Sequence, residues 1–293
     1  MTASTPTDTM DPAQIGRADR ALEPLHSMIY FAPEAEREYV DAGLRPGRMG
    51  YFASRAAPMG PVSAEVVAAT FYNFNPELVA RHIPRAWTLA SPERILAARV
   101  AGADQALRRL LGPDVIEGTE LAELAELARA ATAGCRLEGR PLYAGHAGLD
   151  WPDPPHLVLW HAATLLREHR GDGHIAALVR AGLTGLQALI THTATGRGFV
   201  PTAAKVMRHW SEDQWQEAVQ GLADRGLLAA DGTLSAAGQA LRADLEAQTD
   251  AMAAGPWAQL GPDGVARVIE LARPLARQVV AAGAFPPDTF AKL

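Results

Sequence analysis

Apolar residues recur along this chain at three- and four-residue spacing, the period of helices with one face turned to a core. Polar residues that start and stop helices punctuate the pattern. Pro33 followed by Glu34, Glu36 and Glu38 reads as the acidic opening of a helix that ends near Gly43. Ser63 is placed to cap a segment carrying Val66, Val67, Ala69 and Thr70. Asn75-Pro76 and Ser91-Pro92 each set a cap before a proline at the first helical position, the second opening a periodic run to Leu111. Leu121, Leu124 and Leu127 follow Thr119 in a helix stopped by Gly134. The pattern predicts a mainly α protein.

Residues 139–155, with Gly139, Pro141, Gly145, Gly148, Pro152, Pro154 and Pro155, read as a loop and a seam between two halves. A helix follows that breaks at Gly171-Asp172-Gly173, with Asp172 capping its successor, which ends at Gly182. Beyond it come helices at about 183–195, 202–208 and 211–225, the last opened by a Ser211/Gln214 capping box. Leu227 to Ser235 enclose an Asp231-Gly232 turn and predict a small β-hairpin, after which Ser235 caps a helix through Asp250. The order helix, helix, helix, hairpin, helix is that of a winged helix. A bend is expected at Pro274 in the final helix. The expected organisation is a disordered tail over 1–25, a helical region over 26–150, and a second over 151–293. The second region contains a winged-helix-like unit at about 183–250.

Several stretches carry a family resemblance: Arg-Glu-His-Arg-Gly-Asp-Gly-His at 167–174, Ala-Gly-Leu-Thr-Gly-Leu-Gln-Ala-Leu at 181–189, and the block around the turn. Thr249-Asp250 with Pro256-Trp257, and Gly-Tyr-Phe-Ala-Ser-Arg-Ala-Ala-Pro at 50–58, belong to the same set. On these the chain resembles an actinobacterial helix-turn-helix family, MarR-like in its winged helix. The resemblance implies a fold and carries no activity with it.

Charge argues against that fold reading DNA. The segment 211–226 holds Arg225 against Glu212, Asp213, Glu217 and Asp224, and 197–254 holds five basic residues against eight acidic ones. The turn at 229–233 has neither Lys nor Arg. Phosphate neutralisation needs clustered cations, and the whole chain carries −6. Trp215, Val219 and Leu222 share a face that reads as buried. One cysteine, Cys135, permits no internal disulfide, and with no apolar leader or membrane-length run this predicts a cytoplasmic protein. Cys135 has no histidine near it in sequence and reads as an inert thiol.

The chemistry concentrates at 160–174, where His161, Arg167, Glu168, His169, Arg170, Asp172 and His174 fall within fifteen positions. In a helix His161, Leu165, Glu168 and Asp172 lie near one stripe. One reading is a pocket in which Arg167 or Arg170 grips an anion through its planar fork. His161, His169 or His174, beside Glu168 or Asp172, would then act as acid or base. The other is an ion-pair network that locks a corner between helices. His192, on a following helix, and Arg55, Tyr72 and Asn73, from an aromatic and polar set in the first half, are candidate ligand contacts.

No metal site is assigned, because no His-x-x-x-His or Cys pair is present. No cofactor is named either, since phosphate-cradling and dinucleotide glycine motifs are missing. The expected function is therefore intracellular binding of a polar or anionic small molecule, extending to acid-base catalysis in specialised metabolism. The alternative is a MarR-like regulator that senses a ligand and binds DNA.

Overall fold

The computed structural model describes residues 12–287 and 289–290. The chain runs through α1 (Pro12–Ser27), a 3-10 turn (Met28–Tyr30), α2 (Pro33–Asp41), α3 (Arg48–Ala56), α4 (Ala64–Phe71), α5 (Pro76–Ala80) and α6 (Pro92–Leu111). It continues through α7 (Pro113–Ile116), α8 (Thr119–Thr132), α9 (Pro141–Ala147) and the long α10 (Pro155–Arg180). The remainder is α11 (Gly185–Thr193), α12 (Pro201–Arg208), α13 (Glu212–Asp224), α14 (Ala236–Met252) and α15 (Ala254–Ala281).

Local grammar sets many of these ends. Asn75 accepts from the Glu77 amide and Ser91 from the Arg94 amide. Ser211 and Gln214 form the reciprocal capping box, and Ser235 accepts from the Gly238 amide. Ser63 stands at its N-cap position without making the side-chain bond. A second capping box, Thr184 with Gln187, opens α11. Its neighbour Gly185 is fixed by packing, because a Cβ there would fall on the Tyr72 carbonyl.

Four expectations are corrected. The winged helix with a β-hairpin is not formed: the described residues contain no strand, and Leu228 and Leu234 make a single isolated antiparallel bridge. The Asp231-Gly232 turn does close, with Ala229 N–H donating to the Thr233 carbonyl at 2.8 Å. Its arms are too short to build a ladder, and a two-stranded hairpin is marginal even when longer. Residues 12–25, expected in a disordered tail, form most of α1 and bury Ile15, Ala18, Leu22 and Leu25; residues 1–11 lie outside the described residues. The loop expected over 139–155 contains α9. The final helix keeps Pro274 within regular helix and kinks instead at Gly261 (φ 75°), just before Pro262.

Two apolar clusters divide the interior. The larger joins side chains of α1 to α8 with the first half of α10 and with α15; the smaller joins the end of α10 with α11 to α14. The axis shared by both is α10, about 39 Å long at 1.5 Å per residue. Its residues 157–166 serve the first cluster, while Ala177 and Leu178 serve the second. Arg167, Glu168, Arg170 and Asp172 of α10 occupy the stretch between them.

No single helix among the described residues is long and apolar enough to cross a membrane. α10 and α11 would pass only as a pair bent by 103°, and their apolar residues are largely buried in the two clusters.

Candidate functional site

The helix does not break at Gly171-Asp172-Gly173 as expected; α10 runs through it unbroken. Neither glycine has positive φ. Gly173 is there for close approach, since a Cβ would lie 2.8 Å from Arg140 Nη1. Arg140 crosses that gap to donate to the carbonyls of His169 and, at 2.9 Å, Met252. Asp172 does not cap its own chain's next helix. Its Oδ2 accepts from the amides of Leu142 (3.0 Å) and Tyr143 (2.9 Å), and so caps α9 from across the fold. Burial raises the Asp172 carboxyl to about 6, against those amide bonds.

Glu168, 1 % exposed, lies between two guanidinium groups. Arg55 of α3 grips it with both arms, Nε to Oε1 at 3.2 Å and Nη2 to Oε2 at 2.9 Å. Arg167 adds Nη1 to Oε1 at 2.8 Å and turns its Nε to Glu23 of α1 at 3.2 Å. Burial opposes ionisation of Glu168, but Arg55 and then Arg167 outweigh it and hold the carboxyl well below its usual range. Arg170 makes a second network with α1 and α14: Nε to Asp19 at 3.1 Å, Nη2 to Asp250 at 2.6 Å and to Glu246 at 3.4 Å. Burial pushes Asp19 up to about 7 despite Arg170.

The histidines stand apart from these carboxylates. Among the described residues, none of His161, His169 and His174 hydrogen-bonds to Glu168 or Asp172. His161 sits edge-on to Trp151 at 4.7 Å and His169 edge-on to Tyr143 at 5.2 Å. His174 Nδ1 meets Thr249 Oγ1 at 2.8 Å. Burial lowers all three to about 4, so they are neutral at pH 7. His192 Nδ1 faces Arg242 Nη2 at 3.3 Å, in a neighbourhood where Arg242 also pairs with Glu246 at 3.0 Å.

Tyr72 and Asn73 fasten the first half to the second. The Tyr72 hydroxyl donates to the Leu183 carbonyl at 2.5 Å. Asn73 accepts from Arg208 Nε through Oδ1 and from Trp210 Nε1 through its carbonyl, both at 3.0 Å. Among the described residues, no three His, Cys, Asp or Glu converge in a metal-ligand set. Cys135 is half-buried, and burial pushes its thiol to about 12.

Two hollows lie elsewhere than residues 161–174. One is an open groove of about 930 Å³ between α4–α5 and α11–α13, which Tyr72, Phe74, Leu186 and Trp210 help to line. The other is a cavity of about 200 Å³ beneath the 28–30 turn, lined by Tyr30, Tyr39, Tyr51 and Ser54 among others. The Ser54 hydroxyl is fully buried, near enough to the Tyr39 hydroxyl to favour its ionised form, and has no hydrogen-bond partner within 3.5 Å among the described residues.

Behind that cavity lies a polar interior that the sequence reading missed. His26 Nδ1 meets Thr164 Oγ1 at 2.8 Å, and because that hydroxyl donates to the Trp160 carbonyl, Nδ1 is the donor. His26 Nε2 therefore accepts from the Tyr30 hydroxyl at 2.8 Å. Arg99 of α6, 2 % exposed, lies 5.1 Å from the Trp160 ring and 5.9 Å from the Tyr30 ring. Its position was readable, since Ile95, Arg99, Gly102, Ala106 and Leu110 share one stripe of an otherwise apolar face. Glu23, Asp19 and Arg140 carried no comparable signal.

An all-helical arrangement of the described residues, with capping boxes opening α11 and α13, is the class these features define. The particular family follows from comparison: the family model described as "Helix-turn-helix family" matches residues 15–286, and the chain belongs to that family. No curated protein and no solved structure matches it.

Proposed function

We propose that this member of the helix-turn-helix family is a small-molecule-binding protein whose ligand occupies the cavity at Tyr30, Tyr39, Tyr51 and Ser54. The observation that carries the reading is a partly open hollow walled by aromatic rings, with the buried Ser54 hydroxyl and the Glu36 carboxylate in its lining. A few convergent polar groups in an aromatic wall are what ligand sites present. A volume of about 200 Å³ suits a compact ligand, since an engineered cavity of about 150 Å³ holds benzene.

The residues 161–174 support this site from behind. Glu168 fixes Arg55, whose Nη1 donates to the Tyr51 hydroxyl at 3.3 Å. This reading assigns no acid-base step to His161, His169 or His174. The experiment is a thermal-shift and tryptophan-fluorescence screen of compounds of up to about ten heavy atoms. Some should raise Tm, and Ser54→Leu, which fills the same space, should abolish the shift. A screen without binders, or equal shifts with Ser54→Leu, would overturn the reading.

Family membership favours a second reading, a transcriptional regulator sensing the same ligand. The charge on α13 argues against contact with DNA through that helix. Glu212, Asp213, Glu217 and Asp224 are exposed along it, while Arg225 is spent on the carbonyls of Ala181 and Gly182 at 3.1 and 3.0 Å. Selection from random duplex DNA at 0.1 M salt should enrich no sequence. An enriched site whose affinity falls when exposed α13 side chains are replaced would establish the regulator.

A further inference from the structure

The open groove of about 930 Å³ between α4–α5 and α11–α13 shares no lining residue with the cavity under the 28–30 turn. Its volume falls within the range of about 300–1,000 Å³ typical of small-molecule sites. Apolar and aromatic side chains make its walls: Tyr72, Phe74 and Pro76 on one side, Leu186, Trp210 and Ala218 on the other. Small residues give it width. A Cβ at Gly221 would meet only Gln187 Nε2, at 3.6 Å, so the α13 wall stops short there. Tyr72 is held in the opposite wall by a strained backbone, with φ 57° and ψ −55° and the Asn73 amide donating to the Phe71 carbonyl at 2.7 Å. That is the γ-turn of positive φ, the rare form, and such strain gathers where ligands are held.

Most neutral polar groups of the lining are engaged in holding the fold. The Tyr72 hydroxyl and the Trp210 indole donate to the carbonyls of Leu183 and Asn73. Thr184 and Gln187 cap α11, and Gln214 Oε1 accepts from the Ser211 amide and the Asn75 side chain. The charged residues of the lining are of one sign: Glu217 and Asp224, with no Lys, Arg or His beside them. The Glu217 carboxylate has neither a hydrogen bond nor an ion pair among the described residues. Asp224 accepts from Gln220 through Oδ1 alone, at 2.7 Å. Cations on neighbouring segments are turned to other partners. Arg225 donates to the carbonyls of Ala181 and Gly182, Lys205 pairs with Glu212, and Arg208 lies against the Phe74 and Phe199 rings at 4.2 and 4.8 Å, outside the lining. Two exposed carboxylates alone would be a solvated face. The aromatic trough they border is what makes them a recognition feature.

We propose that this groove is a second ligand site, and that it takes a lipophilic organic cation. The ligand's aromatic body lies against Tyr72, Phe74 and Trp210, and Glu217 and Asp224 meet its charge. Ring faces cover apolar surface and attract a cation at the same time, so walls and rim favour the same chemistry. A neutral ligand of that shape gains the walls and leaves the carboxylates without a counter-charge. An anion meets like charge at the rim, the repulsive half of specificity.

The test uses tetraphenylphosphonium, triphenylphosphine oxide and tetraphenylborate, which present similar phenyl surfaces as a cation, a neutral molecule and an anion. Binding to the full chain is followed by tryptophan fluorescence and calorimetry at low salt, where exposed charges are least screened. The cation should bind about 10-fold more tightly than the neutral compound, and the anion more weakly still. Glu217→Gln with Asp224→Asn, both at exposed positions, should remove most of that preference and leave the neutral compound's affinity unchanged. Gly221→Leu fills the groove and suits a helix better than glycine, so it should keep the parent's Tm and abolish binding of the cation. Ser54→Leu, in the separate cavity, should leave binding of the cation unchanged. No binding of the cation, equal affinity for cation and anion, or a preference that survives the double variant would overturn the proposal. So would binding that survives Gly221→Leu or is lost in Ser54→Leu, since the ligand would then sit elsewhere. Self-association of the chain that Gly221→Leu abolishes would overturn it too, because a second copy would be the occupant.

Discussion

Replacing Glu168 by glutamine should destabilise the fold by about 3–5 kcal/mol, the range for removing one partner of a buried ion pair. The substitution keeps the size of the side chain, removes its charge and turns one acceptor oxygen into an N–H donor that faces the guanidinium groups. It leaves Arg55 and Arg167 close together in the interior with one carboxylate, Glu23, which is 44 % exposed and so a weak counter-charge. Arg55 would keep at most one arm of its grip, on the remaining amide oxygen, together with the Tyr51 hydroxyl and the Phe71 face at 4.4 Å. Denaturant unfolding should show a lower midpoint with an unchanged slope. The double variant Glu168→Gln with Arg55→Gln should recover part of the loss, a coupling expected of residues in one network. A loss below about 1 kcal/mol, the worth of a surface pair, would mean that the pair does not hold α3 to α10.

Stability should also fall steeply as pH drops from about 6.5 to 4. His146 lies at about 3, and His161, His169 and His174 at about 4. His26 and His192 are lowered too, burial being the first cause in every case. In the unfolded chain each titrates near 6.5. Between these limits the unfolded state binds more protons, so lowering the pH favours it, by up to about 1.4 kcal/mol per pH unit for each histidine. Asp19 and Asp172 act in the opposite sense. Their folded values of about 7 and 6 exceed the unfolded 3.8, so they contribute stability at low pH that is lost as pH rises through 6 to 7. Six histidines outweigh two aspartates, and the maximum should lie near pH 6.5 to 7. Melting curves across pH 4 to 8, with net proton uptake on unfolding at pH 5, would check this; a flat Tm from pH 7 to 5 would refute it.

Both predictions turn on contacts between distant parts of the chain, and that is where sequence reasoning met its limit. The concentration of ionisable residues in α10 was visible, as was the alternative that they neutralise one another. Arg170 meeting Asp19 and Arg55 meeting Glu168 bridge 151 and 113 positions, and no periodicity chooses among acids at such range. Residues 161–174 pair with α1, α3, α9 and α14, while the cavity opens under the 28–30 turn and takes no lining residue from α10.

Helix starts were legible because an N-cap is made by groups two or three residues apart, so Asn75, Ser91, Ser211 and Ser235 needed no knowledge of the fold. The family signature and the acidic character of α13 belong with them, since composition is additive along a chain. Whether Gly171 and Gly173 interrupt a helix was a different kind of question. Two glycines weaken a helix by about 1 kcal/mol each, less than packing against α1 and α14 returns, so the assembled neighbours settled it. The same holds for the turn at Asp231-Gly232, which closes locally yet finds no further strand to extend it. It holds most of all for Arg99: its place on an apolar stripe is written in the chain, but that its terminal nitrogens find no hydrogen-bond partner among the described residues emerges only when the surrounding helices close.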